Sequence, residues 1–289
     1  ATGRPQVVAC VPAWNAEDFI DRTLDALASQ TYPNLRVLIS VDVSHDRTAE
    51  RCEARAATDS RFDVVRQSRR LGWVGNVNAL LRLVEAPYLF FAFHDDLLDP
   101  AYASVLVEAL ESRPDAILAF TDMDTHHPDG RVIASVYDEL EGVTDPVERA
   151  RRVIQKRGTW WAPHRGVFRT TIGREIGGLR RHLAGEFSAD WPWLVHLALR
   201  GAFVRVPGFL CHKIYRPASL SRTWDFSSRQ GLAVTLSCLR EVTRARVPLR
   251  VRAAVAPLLL RQSFAWLARM SRHACDQAAL RLRGASTSP

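Results

Sequence analysis

Strands and helices alternate regularly through the first 121 residues, and this pattern constrains the fold more than any other feature of the chain. Short apolar runs predict five strands, over residues 6–11, 36–42, 62–66, 88–93 and 116–121. The segments between them predict helices over residues 17–30, 46–57, 74–85 and 101–113, the first of them capped by Asn15. Because the links are short, the alternation predicts an α/β fold with a mainly parallel sheet between two layers of helices.

Three of the predicted strands end in clusters of polar residues. These clusters occupy residues 12–15, 42–46 and 94–96. In open α/β sheets, ligands bind in the crevice outside the carboxyl ends of the strands. The three clusters are therefore expected to converge on one crevice, although they are far apart in the sequence.

The adjacent acids Asp95 and Asp96 follow the apolar strand in the stretch "PYLFFAFHDDLLDP". Two neighbouring carboxylates repel each other, and burying them is costly without a positive partner. Carboxylate oxygens suit Mg²⁺ or Mn²⁺, and an ion of either kind would remove the repulsion. Acids also favour a helix N-terminus, but Asp99 already stands before Pro100 in that role. The pair therefore predicts a site for Mn²⁺ or Mg²⁺ and a phosphate group.

A second acidic pair, Asp122 and Asp124, could belong to a phosphatase of the haloacid-dehalogenase type. Such an enzyme would need Thr or Val where His126 stands, and its acids follow the first strand rather than the fifth. His126 and His127 fall in a predicted turn, which favours solvated side chains over metal ligands. The chain contains no P-loop, no G-x-G-x-x-G and no G-x-S-x-G motif.

The net charge of +8 belongs to the C-terminal segment, since residues 222–289 carry +9 and the rest of the chain −1. This distribution argues against a nucleic-acid partner for the main body. Arg250, Arg261 and Arg272 recur every 11 residues and could line one face of a helix. That face would either lie in water or bind an anionic membrane surface or an anionic acceptor. Five widely spaced cysteines favour a cytoplasmic protein, peripheral at the membrane if that surface is used.

Residues 7–221 resemble family 2 of the glycosyltransferases, which have the GT-A fold. Six segments carry the resemblance in the family's order: "VVACVPAWNAEDFI", "LISVDVSHDRTAE", "LGWVGNVNALL", "FFAFHDDLLDP", "EFSADWPWLVHLALRG" and "CHKIYRPASLSR". The resemblance implies a GT-A Rossmann-like α/β fold with a mainly parallel sheet and an α-helical C-terminal extension. It divides the chain into a nucleotide-sugar-binding half (1–125), an acceptor-binding and catalytic half (126–225) and an Arg-rich helical segment (226–289).

The resemblance also implies roles for individual residues. Asp190 would be the catalytic base, Asp95 the principal metal ligand and Asp96 its neighbour in the metal site. Contacts to the nucleotide would come from Pro12, Ala13, Asn15, Glu17, Asp42, Asn78 and His94. The candidates for binding the diphosphate or the acceptor are Arg165, Arg216, Trp160, Trp161 and Trp191. For the tryptophans, a place in the core and stacking on a sugar or base are equally open.

Some positions depart from the family pattern. Phe93 stands where the family has the first Asp of its D-x-D motif, and Arg70 replaces an Asn before Gly72. Arg216 occupies the place of a closing His, so it is expected to hold the diphosphate directly rather than through a metal.

The resemblance implies an inverting, metal-dependent, hexosyltransferase-like enzyme. It would move a sugar from a nucleoside-diphosphate sugar to the hydroxyl group of a polysaccharide precursor or a small molecule. A metal-dependent nucleotidyltransferase and a non-catalytic nucleotide-sugar-binding relative are the alternatives. The first would need a glycine-rich basic loop after the first strand, and residues 12–15 do not provide one. The second would not need Asp190.

Overall fold

The computed structural model describes residues 3–155, 162–216 and 227–263. The strands are β1 (Val7–Ala13), β2 (Leu35–Val41), β3 (Phe62–Arg66), β4 (Tyr88–Phe91), β5 (Asp96–Leu98), β6 (Ala116–His126), β7 (Val132–Ser135), β8 (Val167–Arg169) and β9 (Ala202–Ile214). The helices are α1 (Ile20–Ala28), α2 (Thr48–Thr58), α3 (Gly72–Leu83), α4 (Tyr102–Glu111), α5 (Pro146–Gln155), α6 (Thr170–Ile176), α7 (Asp190–Arg200), α8 (Ser228–Arg244) and α9 (249–263).

The described strands form one sheet in the order β3-β2-β1-β4-β8-β6-β9-β5, with β7 paired to β6. Strands β1 to β4 are parallel to one another, β8 is antiparallel to both β4 and β6, and β9 is parallel to β6. The carboxyl ends of β1, β2, β4, β6 and β9 therefore lie along the same edge. The sheet takes strands from both predicted halves of the chain, because β8 lies between β4 and β6.

The structure confirms the parallel strands predicted at the start of the chain, and the burial of these strands and their helices explains why they form. Every residue of β1 is buried, as expected for a central strand covered on both faces. Helix α1 buries Ile20, Leu24 and Leu27 on one side, which is the face that its periodicity predicts. The helix starts at Ile20 rather than at Glu17, so the prediction that Asn15 caps it is wrong.

Strand β6 is five residues longer than predicted and reaches His126. Its hairpin with β7 turns at Gly130, whose φ of 84° suits glycine and confirms the predicted turn. The extension places His126 inside a strand rather than in a turn. Asp122 is buried and accepts two hydrogen bonds from the Arg205 guanidinium, at 2.8 and 2.7 Å, so its role is structural.

The helical C-terminal extension packs on the main body through α8 and α7. Buried Glu241 of α8 lies 2.7 Å from the Nδ1 atom of His196, a buried residue of α7, and also forms an ion pair with Arg180. Arg250 and Arg261 of α9 are exposed, whereas Arg272 lies outside the described residues. Across the described ranges, no helix is both long and apolar enough to span a bilayer.

Candidate active site

The loops that follow β1 and β2 are joined by hydrogen bonds. The main-chain N–H of Asn15 donates to Ser44 Oγ at 3.1 Å, and the side-chain oxygen of Asn15 accepts from the main-chain N–H of His45 at 3.0 Å. Glu17 accepts from the Arg47 amide at 2.7 Å. Asn15 adopts a φ of 43°, which asparagine tolerates better than most residues. Asn15 and Glu17 thus fix the relative position of two loops at the carboxyl edge of the sheet.

Asp42 is buried behind the segment that leads into α3. Its carboxylate accepts hydrogen bonds from the Leu71 and Gly72 amides, at 2.8 and 2.9 Å, and from Arg70 Nη1 at 2.6 Å. The Arg70 guanidinium lies 3.8 Å from the centre of the Trp14 ring. Asp42 therefore anchors this segment, and it orients Arg70 against an aromatic face next to the end of β1.

The two asparagines of α3 have different partners. Asn78 exchanges hydrogen bonds with the main chain of Leu179, at 2.8 and 2.9 Å, so its amide is used within the fold. Asn76 is buried and donates to the carbonyl groups of Ala13 and Ser40, at 3.4 and 2.9 Å. Asn76, which the sequence patterns did not single out, therefore adds side-chain hydrogen bonds between the paired ends of β1 and β2.

Asp96 forms a buried ion pair with Arg165. Their side chains are 1% and 5% exposed, and two guanidinium nitrogens contact the carboxylate, Nε on one oxygen and Nη2 at 3.3 Å from the other. This pairing engages both oxygens of Asp96, which does not favour its predicted role as a metal ligand. The same pairing engages the Arg165 guanidinium, which does not favour its predicted role in binding the diphosphate or the acceptor.

Asp95 has a different cation beside it. Lys213 Nζ lies 3.5 Å from its Oδ2 atom, and the side chains of Lys213 and Asp95 are mostly buried, 18% and 12% exposed respectively. Burial raises the pKa of Asp95, but the charges of Lys213, His94 and Arg165 outweigh burial and hold that pKa below its ordinary value. Lys213 was missed in the sequence. The sequence feature that could have drawn attention to it is the rarity of lysine, since the chain has only two lysines among many arginines.

His94 and Arg216 lie close to Asp95 around the ring of Phe19. The His94 Nδ1 atom is 3.0 Å from the Pro12 carbonyl oxygen, and the His94 ring centre is 5.3 Å from that of Phe19. The Arg216 guanidinium lies 3.8 Å from the Phe19 ring centre. Burial lowers the pKa of Arg216, and its Nε has no hydrogen-bond acceptor within the described ranges. The structure thus brings His94, Asp95 and Arg216 together at one edge of the sheet.

Asp190 is the first residue of α7 and contacts His164. Its Oδ2 atom is 3.4 Å from His164 Nδ1, and His164 Nε2 accepts a hydrogen bond from Arg165 Nη1 at 2.8 Å. Since Arg165 can only donate, the neutral His164 ring carries its proton on Nδ1, facing Asp190. Burial raises the pKa of Asp190, and this effect exceeds the lowering by Arg165 and Lys213. A chain of contacts therefore links Asp190 to the Asp96 segment.

Of the three tryptophans that the sequence singles out, Trp191 lies in the core, and the other two fall outside the described residues. Trp191 is 5% exposed, and its indole N–H donates to the Val153 carbonyl group at 3.3 Å. It packs between α7 and α5, which favours the core over the alternative of stacking on a ligand. Trp160 and Trp161 lie outside the described residues. His164, a short distance further on, was missed, although its place in "WAPHRGV" just before β8 is visible in the sequence.

The sequence model of glycosyl transferase family 2 matches residues 8–180, more than half of the chain. The chain belongs to glycosyl transferase family 2. An uncharacterized glycosyltransferase of Haemophilus influenzae is 30% identical over 107 residues, which cover 37% of this chain and 33% of the relative. The chain thus matches about a third of that relative's length.

Solved structures share the fold of this family 2 member. Residues 1–349 of S. aureus TarS, crystallised with UDP-GlcNAc, superpose with a TM-score of 0.71 at 16% identity, covering 90% of this chain and 73% of TarS 1–349. The mannosyltransferase PcManGT from Pyrobaculum calidifontis, in complex with GDP-Man and Mn²⁺, gives a TM-score of 0.56 at 17% identity, covering 99% of this chain and 81% of PcManGT. These similarities confirm the predicted GT-A α/β fold.

Proposed function

We propose that this family 2 glycosyltransferase moves a sugar from a nucleoside-diphosphate sugar to an acceptor hydroxyl group with inversion at the anomeric carbon. The observation that carries the proposal is the position of Asp190. This carboxylate has a raised pKa, faces the Nδ1 atom of His164, and is linked through Arg165 to the strand end that bears Asp95. A base and a diphosphate site on one edge of the sheet are what a single displacement requires.

The proposed donor is supported by the structural neighbours. TarS was crystallised with UDP-GlcNAc and PcManGT with GDP-Man, both of which are nucleoside-diphosphate sugars. In this chain, Lys213 and Arg216 supply positive charge next to Asp95, and Arg216 has an unused N–H group among its described contacts. Fixed charges of this kind stabilise the negative charge that develops on a leaving nucleoside diphosphate.

The residues present fit a divalent metal ion with one protein ligand. Asp95 keeps a partly exposed carboxylate, while Asp96 is occupied by Arg165. Mg²⁺ and Mn²⁺ commonly bind one or two carboxylates and complete their shell with water and substrate phosphate oxygens. Asp95 would hold the ion, which supplies charge neutralisation at the diphosphate when bound. Lys213 gives Asp95 a positive neighbour when no ion is there.

In the proposed reaction, Asp190 accepts the proton of the acceptor hydroxyl group as its oxygen attacks the anomeric carbon. The bond from that carbon to the nucleoside diphosphate breaks, and the electron pair leaves with the diphosphate. His164 positions Asp190, because its Nδ1 atom lies 3.4 Å from the carboxylate and its Nε2 atom is fixed by Arg165. A raised pKa makes Asp190 a stronger base than an ordinary aspartate.

The test combines donor binding with turnover in matched variants. Wild-type protein is screened against UDP- and GDP-sugars by calorimetry with Mn²⁺, and the donor that binds is then used in transfer and donor-hydrolysis assays. Asp190→Asn is expected to bind the donor normally and to lower turnover by about 10²–10⁴-fold. Asp129→Asn, in the exposed β6–β7 turn, is the control with unchanged turnover.

The results separate the proposal from the alternatives. Inversion is read from the anomeric configuration of the product by NMR. Donor binding with neither transfer nor hydrolysis would indicate a non-catalytic relative. Full turnover in Asp190→Asn would place the base elsewhere. Release of inorganic diphosphate from a nucleoside triphosphate and a sugar 1-phosphate, in a separate assay, would indicate a nucleotidyltransferase.

A further inference from the structure

Three side chains with metal-binding atoms meet on one face of the β6–β9 strand pair. Asp124 and His126 are two residues apart on β6, so they point to the same face. His212 lies directly opposite Asp124 on β9. One ligand atom from each of the three residues lies within 4.8 Å of the other two. Two imidazoles and one carboxylate therefore form a cluster that none of the proposed steps of sugar transfer uses.

The spacing of these atoms suits a single ion. Asp124 Oδ1 is 2.7 Å from His212 Nδ1 and 3.1 Å from His126 Nε2. Bonds of about 2.0–2.1 Å from a zinc ion to nitrogen or oxygen put neighbouring ligand atoms roughly 3 Å apart. The three atoms need only small movements to surround an ion. The side chains of Asp124, His126 and His212 are 15%, 43% and 31% exposed, so water can fill the remaining positions.

The cluster is separate from the proposed donor site. Lys213 follows His212 directly, and because side chains alternate along a strand, it points to the opposite face, where it contacts Asp95. The ligand chemistry differs as well. Asp95 offers a hard carboxylate that suits Mg²⁺ or Mn²⁺, whereas imidazole favours Zn²⁺ and its transition-metal neighbours over Mg²⁺.

We propose that Asp124, His126 and His212 bind one divalent transition-metal ion, with zinc the best match, at a site distinct from that of the nucleotide sugar. The ion joins β6 to β9 at their carboxyl ends. Immediately beyond it, the Tyr215 amide donates to the His126 carbonyl group at 2.8 Å. The ion would thus hold in place the strand end that carries Lys213 and Arg216.

The direct test is calorimetry of the whole chain, after removal of metal with a chelator, titrated with ZnCl₂ and separately with MgCl₂. We expect one zinc ion per chain, bound at least tenfold more tightly than any magnesium, and a rise in melting temperature with zinc. His212→Ala and His126→Ala are each expected to weaken zinc binding by more than about 100-fold. Melting curves recorded in chelator check that the variants are folded, and the partial exposure of both histidines favours this.

Two controls locate the site. His127→Ala removes a neighbouring histidine that stacks on Tyr215, and Asp95→Asn removes the carboxylate of the proposed donor site. Both variants should bind zinc as the wild type does. Absence of one-to-one zinc binding in the wild type would overturn the proposal. The proposal would also be overturned if both folded histidine variants still bound zinc, or if Asp95→Asn no longer bound it. Because metal alone is the probe, these outcomes do not depend on the proposed transferase activity.

Discussion

The adjacent acids Asp95 and Asp96 are predicted to respond very differently to the same substitution. Asp96→Asn removes the negative partner of a guanidinium that is 5% exposed, whereas Asp95→Asn removes the partner of Lys213, whose side chain is 18% exposed. Burial by itself lowers the pKa of Arg165, but the charge and hydrogen bond of Asp96, together with the charge of Asp95 and the Cys211 thiol, outweigh burial and raise that pKa. Because a guanidinium does not lose its proton in proteins, Arg165 stays charged in the variant and loses its main compensation.

The size of the effect follows from the burial of each pair. Breaking a buried ion pair by removing one partner costs about 3–5 kcal/mol in the free energy of unfolding. Asp95 lies close enough to contribute to the pKa of Arg165, so the lower half of this range is expected for Asp96→Asn. Asp95→Asn should cost about 1 kcal/mol, because the flexible Lys213 side chain can turn towards water. The two variants should differ by about 2 kcal/mol or more.

Urea denaturation and thermal melting, each without metal or nucleotide, measure the difference. At about 2 °C per kcal/mol for a chain of this size, Asp96→Asn should melt roughly 6–8 °C below the wild type. Donor binding should show the reverse order, with Asp95→Asn losing its metal-dependent part. The double variant Asp96→Asn/Arg165→Met should recover part of the lost stability, since it removes the uncompensated charge. Equal stability losses in the two single variants would refute the assignment of Asp96 to the fold and Asp95 to the ligand.

Three further predictions concern the pH dependence of transfer, the stability of an Asp190 variant and the C-terminal segment. Because burial raises the pKa of Asp190, transfer should fall on acidification at a higher pH than for an ordinary aspartate, and His164→Gln should move this limb of the pH–rate profile. The ionised Asp190 opposes folding, so stability gains as pH falls through its raised pKa. Asp190→Asn should accordingly melt at or above the wild-type temperature at pH 7, and a large loss of stability would contradict this reasoning. Because Arg250 and Arg261 on α9 are exposed, the protein should float with acidic liposomes at low salt. High salt, or replacement of both residues by Gln, should abolish this binding. The variant Arg131→Gln, at another exposed arginine, is the control and should still bind. Wild-type protein that stays unbound at low salt would exclude the membrane surface.

Sequence patterns alone predict the order of the elements and the edge of the sheet on which the candidate site lies. Buried strands and amphipathic helices are local patterns of period 2 and 3.6, so a single chain reveals them without knowledge of its partners. The strand–helix alternation then makes the carboxyl ends of β1, β2 and β4 adjacent. For this reason the sequence could predict that the polar clusters at residues 12–15, 42–46 and 94–96 converge, although they are far apart along the chain. The expectation for Arg216 came only from the family resemblance.

Tertiary contacts, by contrast, determine which polar residues serve the fold. The partners of Asp95 and Asp96 lie on β9 and just before β8, and the cross-strand register of β5 with β9 brings Lys213 there. Asn78 and Asn76 are two residues apart on α3, yet they face different neighbours because of how that helix packs. The electrostatic role of a carboxylate depends on charges within a few ångströms, and strands distant in sequence supply those charges.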